Sequence, residues 1–181
     1  MSKRIKYFNS IIFAILIVGA NYTVQFPINE WLTYGAILYP FTFLLTDILG
    51  ENFSKNDVLV VVKSGIALAI IPTILIADWR IAFASITTFF LIQQLDVSIF
   101  HYLKEKYQDK WWLRNNASTM LSQLFDTTLF FILAFSFVLP FDVIIKLIVG
   151  DYMIKLIIAI LDTPIFYILA IKLKLFRFKR I

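Results

Sequence analysis

The chain has 181 residues, 60% of them hydrophobic and 16% charged, with 19 phenylalanines and a formal net charge of +5. A soluble domain carries about 25% charged residues, so this composition cannot cover a water-soluble surface. With no cysteine and one histidine, His101, disulfides, thiolate ligands and His-cluster metal sites are excluded, and no metal or cofactor is expected.

The length fits a single domain over residues 1–181, an all-α integral membrane bundle of six helices. No room is left for a nucleotide-binding domain, so an ATP-driven step would need a partner protein. Apolar runs place helices at residues 8–25, 31–50, 58–77, 81–102, 118–139 and 144–171. The first follows Lys3, Arg4 and Lys6, and Val18-Gly19-Ala20 has the outline of a signal-peptide cleavage site. Asn21, Tyr22 and Gln25 instead continue the segment as an amphipathic helix.

In the second span Pro40 lacks an N–H and can open the helix near mid-membrane, and Asp47 and Glu51 share a face. A cation or proton between those two acids is one reading; a solvated Glu51 beside a buried Asp47 is the other. Lys63, in the third span, can snorkel to the surface. The fourth span is interrupted by Gln93, Gln94 and Asp96, with Ser85 and Thr88 on the approach and His101 at the interface. Asp96 lies near one end and suits a gate as well as a binding site.

The fifth span is the most informative. Ser118 and Thr119, Ser122 and Gln123, Asp126 and Phe130 recur at three- and four-residue spacing and line one face, while Leu121, Leu124, Leu129 and Ile132 form the opposite, lipid-suited face. In the sixth span Asp151, Lys155 and Asp162 share a face, and Asp151 and Lys155 can neutralise each other as a structural or gating pair. Asp162-Thr163-Pro164 can mark a kink, where Thr163 bonds a freed carbonyl. Trp31, Trp79, Trp111 and Trp112 flank spans as an aromatic belt.

Thirteen of the 17 basic residues fall at the N-terminus, in the second and fourth loops, and at the C-terminus. That asymmetry places both termini in the cytoplasm, and the basic ends read as headgroup anchors rather than nucleic-acid contacts. Asp47, Asp96, Asp126, Asp151 and Asp162 all lie inside apolar runs. Each costs roughly 2.5–3.5 kcal/mol at bilayer depth, so most should face a polar cavity, as in a transporter. No activated serine–histidine arrangement is present, and an enzyme is not expected. Carboxylates, amides and many aromatic rings suit a planar hydrogen-bonding heterocycle: adjacent N–H donors meet a carboxylate, an amide meets the carbonyl, and rings sandwich the base. A cation or amine transporter would use a similar set.

Four blocks carry a resemblance. Tyr39-Pro40-Phe41-Thr42-Phe43-Leu44-Leu45-Thr46-Asp47 with Glu51, Gln94-Leu95-Asp96-Val97 with Phe100, Ala117-Ser118-Thr119 through Ser122-Gln123 to Asp126-Thr127 and Phe130, and Asp151-Tyr152 with Lys155 occur in this order. Together they resemble the queuosine precursor transporter family, also called the vitamin uptake transporter family. The resemblance implies a six-helix importer in the bacterial inner membrane. Its substrates would be 7-cyano- and 7-aminomethyl-7-deazaguanine, or queuine, moved by alternating access. Asp126, Gln123, Asp47, Asp96, Gln94, Ser122 and Phe130 are the candidate substrate-binding residues, and Asp151, Lys155 and Glu51 the gating or structural ones. The alternative is a substrate-binding subunit of an energy-coupling-factor complex, which would need partner ATPases; the first span offers only Ser10 and Ala14 for docking them. A homo-oligomer is also open.

Overall fold

A computed structural model describes residues 1–173. Lys174, Arg177, Lys179 and Arg180, part of the basic C-terminus, lie outside them. The elements in order are α1 (Lys3–Thr23), β1 (Pro27–Asn29), β2 (Leu32–Thr33), α2 (Gly35–Leu38), α3 (Pro40–Asn52), α4 (Lys55–Ile76), α5 (Trp79–Lys106), α6 (Trp111–Phe135) and α7 (Phe141–Phe166), which continues as a π-helical turn over Tyr167–Lys172. Most helices begin several residues before the apolar runs do, because polar residues build their first turns. The Ser2 hydroxyl accepts from the Ile5 N–H, Ser54 from Asp57 and the Asp78 carboxylate from Arg80, satisfying N–H groups that the helix itself leaves unpaired.

The second span departs from the sequence expectation of one helix over 31–50. An antiparallel β1–β2 hairpin and the single turn α2 come first, and only then α3, 13 residues long. Two residues account for the break. Pro40 sits at the start of α3, where its missing N–H costs nothing. Gly35 lets α2 approach α1, since a Cβ there would lie 2.8 Å from the Val24 Cβ. At 1.5 Å per residue α3 spans about 20 Å, short of the roughly 30 Å of a bilayer core. Among the described residues five helices are long and apolar enough to cross a membrane: α1, α4, α5, α6, and α7 with its π-helical extension.

Packing runs α1 on α4, α4 on α5, α5 on α6 and α6 on α7, with α3 held among α1, α4, α5 and α7. One apolar seam joins Phe13 and Ile17 of α1, Leu49 of α3, Val58 to Ile66 of α4 and Phe89 of α5. A second joins Leu44 and Ile48 of α3, Phe100 of α5 and Phe166 of α7. Outward faces carry exposed apolar side chains such as Ile71, Leu75 and Phe137. Trp31, Trp79 and Trp112 are exposed, as a belt requires, whereas Trp111 turns inward and stacks on Phe166. His101 is buried rather than interfacial, its ring nitrogens facing the carbonyls of Val97 (2.8 Å) and Phe53 (3.3 Å). Ser10 and Ala14, the pair considered for docking a partner, are buried, and the Ser10 hydroxyl reaches the Val61 carbonyl of α4.

The α1–α4 crossing depends on Gly65. A Cβ there would sit 2.7 Å from Phe13 Cδ1 and 3.0 Å from the Ser10 carbonyl oxygen. The ring can turn aside; the backbone carbonyl cannot. Gly65→Val should therefore destabilise the bundle by about 1–3 kcal/mol, read as a lowered thermal unfolding temperature in detergent.

Candidate functional site

The polar face of α6 forms one wall of a buried track through the bundle. Arg114, Ser118, Thr119, Ser122, Gln123, Asp126 and Thr127 are all buried, while Leu121, Leu124 and Ile132 on the far side are exposed. Helical rise puts Arg114 and Asp126 about 18 Å apart along the axis, so the track has three levels.

At the first level Asp126 accepts a short hydrogen bond from the Tyr39 hydroxyl at the α2–α3 junction. Lys155 of α7 faces the other oxygen of Asp126, 2.7 Å from Asp151 and 3.6 Å from Asp126. Its ammonium also donates to Thr127 Oγ1 at 2.9 Å and lies 4.1 Å from the centre of the Tyr39 ring. The i,i+4 pair expected on the sixth span is thus formed, and it reaches a second carboxylate on α6. Ala20, Asn21, Val24, Gly35 and Phe130 complete a small cavity at this level. The space open to the centre of a water molecule is about 20 Å³, room for one water. Asn21 is fixed by the Ser85 hydroxyl (2.6 Å) and itself donates to Thr73 (3.2 Å).

At the second level lie Gln123, Ser122, Asp96 and Asp47. Both amide atoms of Gln123, both carboxylate oxygens of Asp96, Ser122 Oγ and Asp47 Oδ1 are buried without a hydrogen-bond partner. Asp47 Oδ2 accepts from Thr119 at 2.9 Å. Gln93 donates to Thr42 at 2.9 Å across the α3–α5 contact. Gln94 sits off this face: it is half-buried and turns its amide back to the Phe90 carbonyl.

At the third level Arg114 binds Glu51 through two parallel hydrogen bonds, 2.9 Å from Nε and 2.8 Å from Nη2. Arg114 also donates to the Gln108 carbonyl (2.8 Å), and Lys104 to the carbonyls of Gly50 (2.8 Å) and Glu51 (2.6 Å). The clamp ties α3, α5 and α6 together at the end where α4 begins. Glu51, one of the two acids considered for a cation, is bound here by the Arg114 guanidinium.

Sequence reasoning omitted Gln93, Tyr39, Thr127 and Arg114 from the site. Spacing could have found the first: Gln93 is three residues from Asp96 and shares its face, whereas Gln94 at two residues does not. Tyr39 carries no such signal, because the broken second span sets its direction. Removing Lys155 would leave two carboxylates buried without a counter-charge, at a cost of about 3–5 kcal/mol. Lys155→Met should be strongly destabilising and Asp151→Asn in the same chain should recover part of the loss, so a thermal-unfolding cycle over both substitutions should give clear non-additivity.

Residues 71–169 match the family model described as "Putative vitamin uptake transporter". The chain is 30% identical to the "Queuosine precursor transporter" of Escherichia coli (strain K12) over 70% of this chain and 66% of the relative. It is 28% identical to the "Probable queuosine precursor transporter" of Bacillus subtilis (strain 168) over 75% of this chain and 70% of the relative. The matches thus span about two thirds of the length of these curated relatives. No solved structure matches the chain. With a family match over more than half its length and five membrane-length apolar helices, the chain is a multi-pass membrane protein of the vitamin uptake transporter family, a family of transporters and not of enzymes.

Proposed function

We propose that the protein imports queuosine precursors, 7-cyano- or 7-aminomethyl-7-deazaguanine or queuine, across the bacterial inner membrane by alternating access. The chain would cross six times with both termini cytoplasmic, the hairpin, α2 and α3 together making the second crossing. The relatives' description as queuosine precursor transporters supports the substrate class, and the basic residues gathered at the Glu51–Arg114 end support the orientation.

The observation that carries the reading is Gln123. A fully buried amide with neither its oxygen nor its nitrogen bonded forfeits roughly 1–3 kcal/mol for each group left unsatisfied. One helical turn away, Asp126 Oδ2 also lacks a hydrogen bond. A guanine-like edge supplies what both lack. Its adjacent ring N–H and exocyclic amine donate to the Asp126 carboxylate, and its carbonyl accepts from the Gln123 amide. Tyr39 and Phe130 offer ring faces beside that position. Room for a base opens only when Tyr39 and Lys155 withdraw from Asp126. Substrate binding would therefore loosen the α6–α7 contact, and the Glu51–Arg114 clamp would be the cytoplasmic gate.

The test is a bacterium unable to make queuosine precursors and lacking its own importer, supplied with a single 7-deazaguanine at low concentration and assayed for queuosine in tRNA. Wild type should restore the modification. Asp126→Asn and Gln123→Ala should each weaken uptake roughly tenfold to a hundredfold, the loss of a charge-assisted or paired hydrogen bond. Both variants behaving as wild type would remove Asp126 and Gln123 from the site.

The gate has its own readout. Because the chain contains no cysteine, Ser118→Cys is a clean reporter beneath the clamp. In a Glu51→Gln background a membrane-impermeant maleimide applied from the cytoplasmic side should label it faster than with Glu51 intact; equal rates would rule out Glu51 as a gate residue.

A further inference from the structure

Five carboxylates are buried in the described part of this bundle, against three buried bases, Lys155, Arg114 and His101. Lys155 serves Asp126 and Asp151, and Arg114 serves Glu51. Asp47 of α3 and Asp96 of α5 are left facing one another's charge with no base. Both are at most 1% exposed, and three of their four oxygens have no hydrogen-bond partner.

The hydroxyls around them sharpen the problem. Those of Thr46, Ser118 and Ser122 face Asp96, none in regular hydrogen-bond geometry. A hydroxyl has one hydrogen to give. Thr46 gives its own to the Phe43 carbonyl (2.9 Å) and Ser118 to the Arg114 carbonyl (2.7 Å). These two therefore turn lone pairs, not hydrogens, toward a carboxylate. Only Ser122, fully buried and unpartnered, still has a hydrogen to give. Such a nest of oxygens is repulsive when empty and favourable around a small positive charge.

No neighbouring element relieves it. Glu51, the next acid along α3, adds negative charge and is already bound to Arg114 of α6. His101 of α5 bonds backbone carbonyls, Lys63 of α4 points outward, and α7 brings the buried Asp162, another acid. From α1 only the uncharged Asn9, Ser10 and Asn21 are buried among its polar side chains. Thr119, which holds Asp47, is seven residues before Asp126 on α6, about 10 Å along the helix.

We propose that Asp47 and Asp96, with Thr46, Ser118 and Ser122, form a second site, distinct from the Asp126 cavity, that binds one monovalent cation, a proton or a sodium ion, and that this cation couples to substrate movement. Two carboxylates and neutral hydroxyls suit a single positive charge; the described residues hold no group of three acids or imidazoles that would suit a divalent metal. The coupling half rests on the transport reading above; the binding half does not.

The purified protein, reconstituted in lipid vesicles, tests both halves. Infrared difference spectra recorded on changing pH, or on adding sodium at constant pH, read the carboxyl bands without any transport. One of the two cations should shift bands that disappear in Asp96→Asn and in Asp47→Asn; bands indifferent to both cations would overturn the site. Uptake of labelled 7-aminomethyl-7-deazaguanine is then followed under an inward proton gradient or an inward sodium gradient. Wild type should accumulate substrate above equilibrium under the gradient of the cation that moves the bands, and each Asn variant should lose that response. Wild type that exchanges substrate across the vesicle membrane but accumulates it under neither gradient would overturn the coupling. Wild type that does not even exchange it would count against the transport reading, while the infrared bands still decide the cation site.

Discussion

One ammonium group neutralises two carboxylates on two helices in this bundle, and the arrangement of the interior follows from that. Lys155 is buried, 2.7 Å from Asp151 and 3.6 Å from Asp126, with the Tyr39 ring beneath it. A lone charge in such surroundings would cost several kcal/mol, so α6, α7 and the α2–α3 junction must meet where the charges meet. The same group that fixes the helices also occupies the space a ligand of Asp126 would need. Stability of this packing and vacancy of the cavity are therefore opposed, which is what the proposed alternating access would need.

The track below this point is polar only on its inner side. Two apolar seams flank it, one around Phe13, Val61 and Phe89, the other around Leu44, Phe100 and Phe166. They keep water from the carboxylates and strengthen every electrostatic term between them. Hydroxyls along the track spend their hydrogen on a backbone carbonyl one turn earlier, as Thr46 and Ser118 do. Helix-forming needs are met in this way, while lone pairs remain on the inner side of the track.

Much of this was legible in the chain because the α6 stripe obeys helical spacing without interruption: Ser118, Ser122 and Asp126 recur every four residues, with Leu121, Leu124 and Ile132 opposite. The Asp151–Lys155 pair was legible for the same reason. What periodicity could not show was contact between helices, so the reach of Lys155 to Asp126 and of Arg114 to Glu51 had no signal. The second span was misread because hydropathy registers apolar content and not backbone path; Trp31 to Leu38 is apolar enough for a helix, yet Gly35 and Pro40 allow a hairpin and a turn. Gln93 rather than Gln94 shares the buried face of Asp96, and the spacing to Asp96 alone shows it.

The central claim is that ligand binds against α6 between Gln123 and Asp126. A photoreactive 7-deazaguanine, cross-linked to the membrane-embedded protein and mapped by mass spectrometry, tests it most directly. Label competed away by unmodified base should fall on Tyr39, Gln123 and Phe130. Competed label in the lipid-facing groove between α1 and α4, lined by Ile15, Tyr22, Leu68 and Ile76, or no competed label at all, would contradict the account.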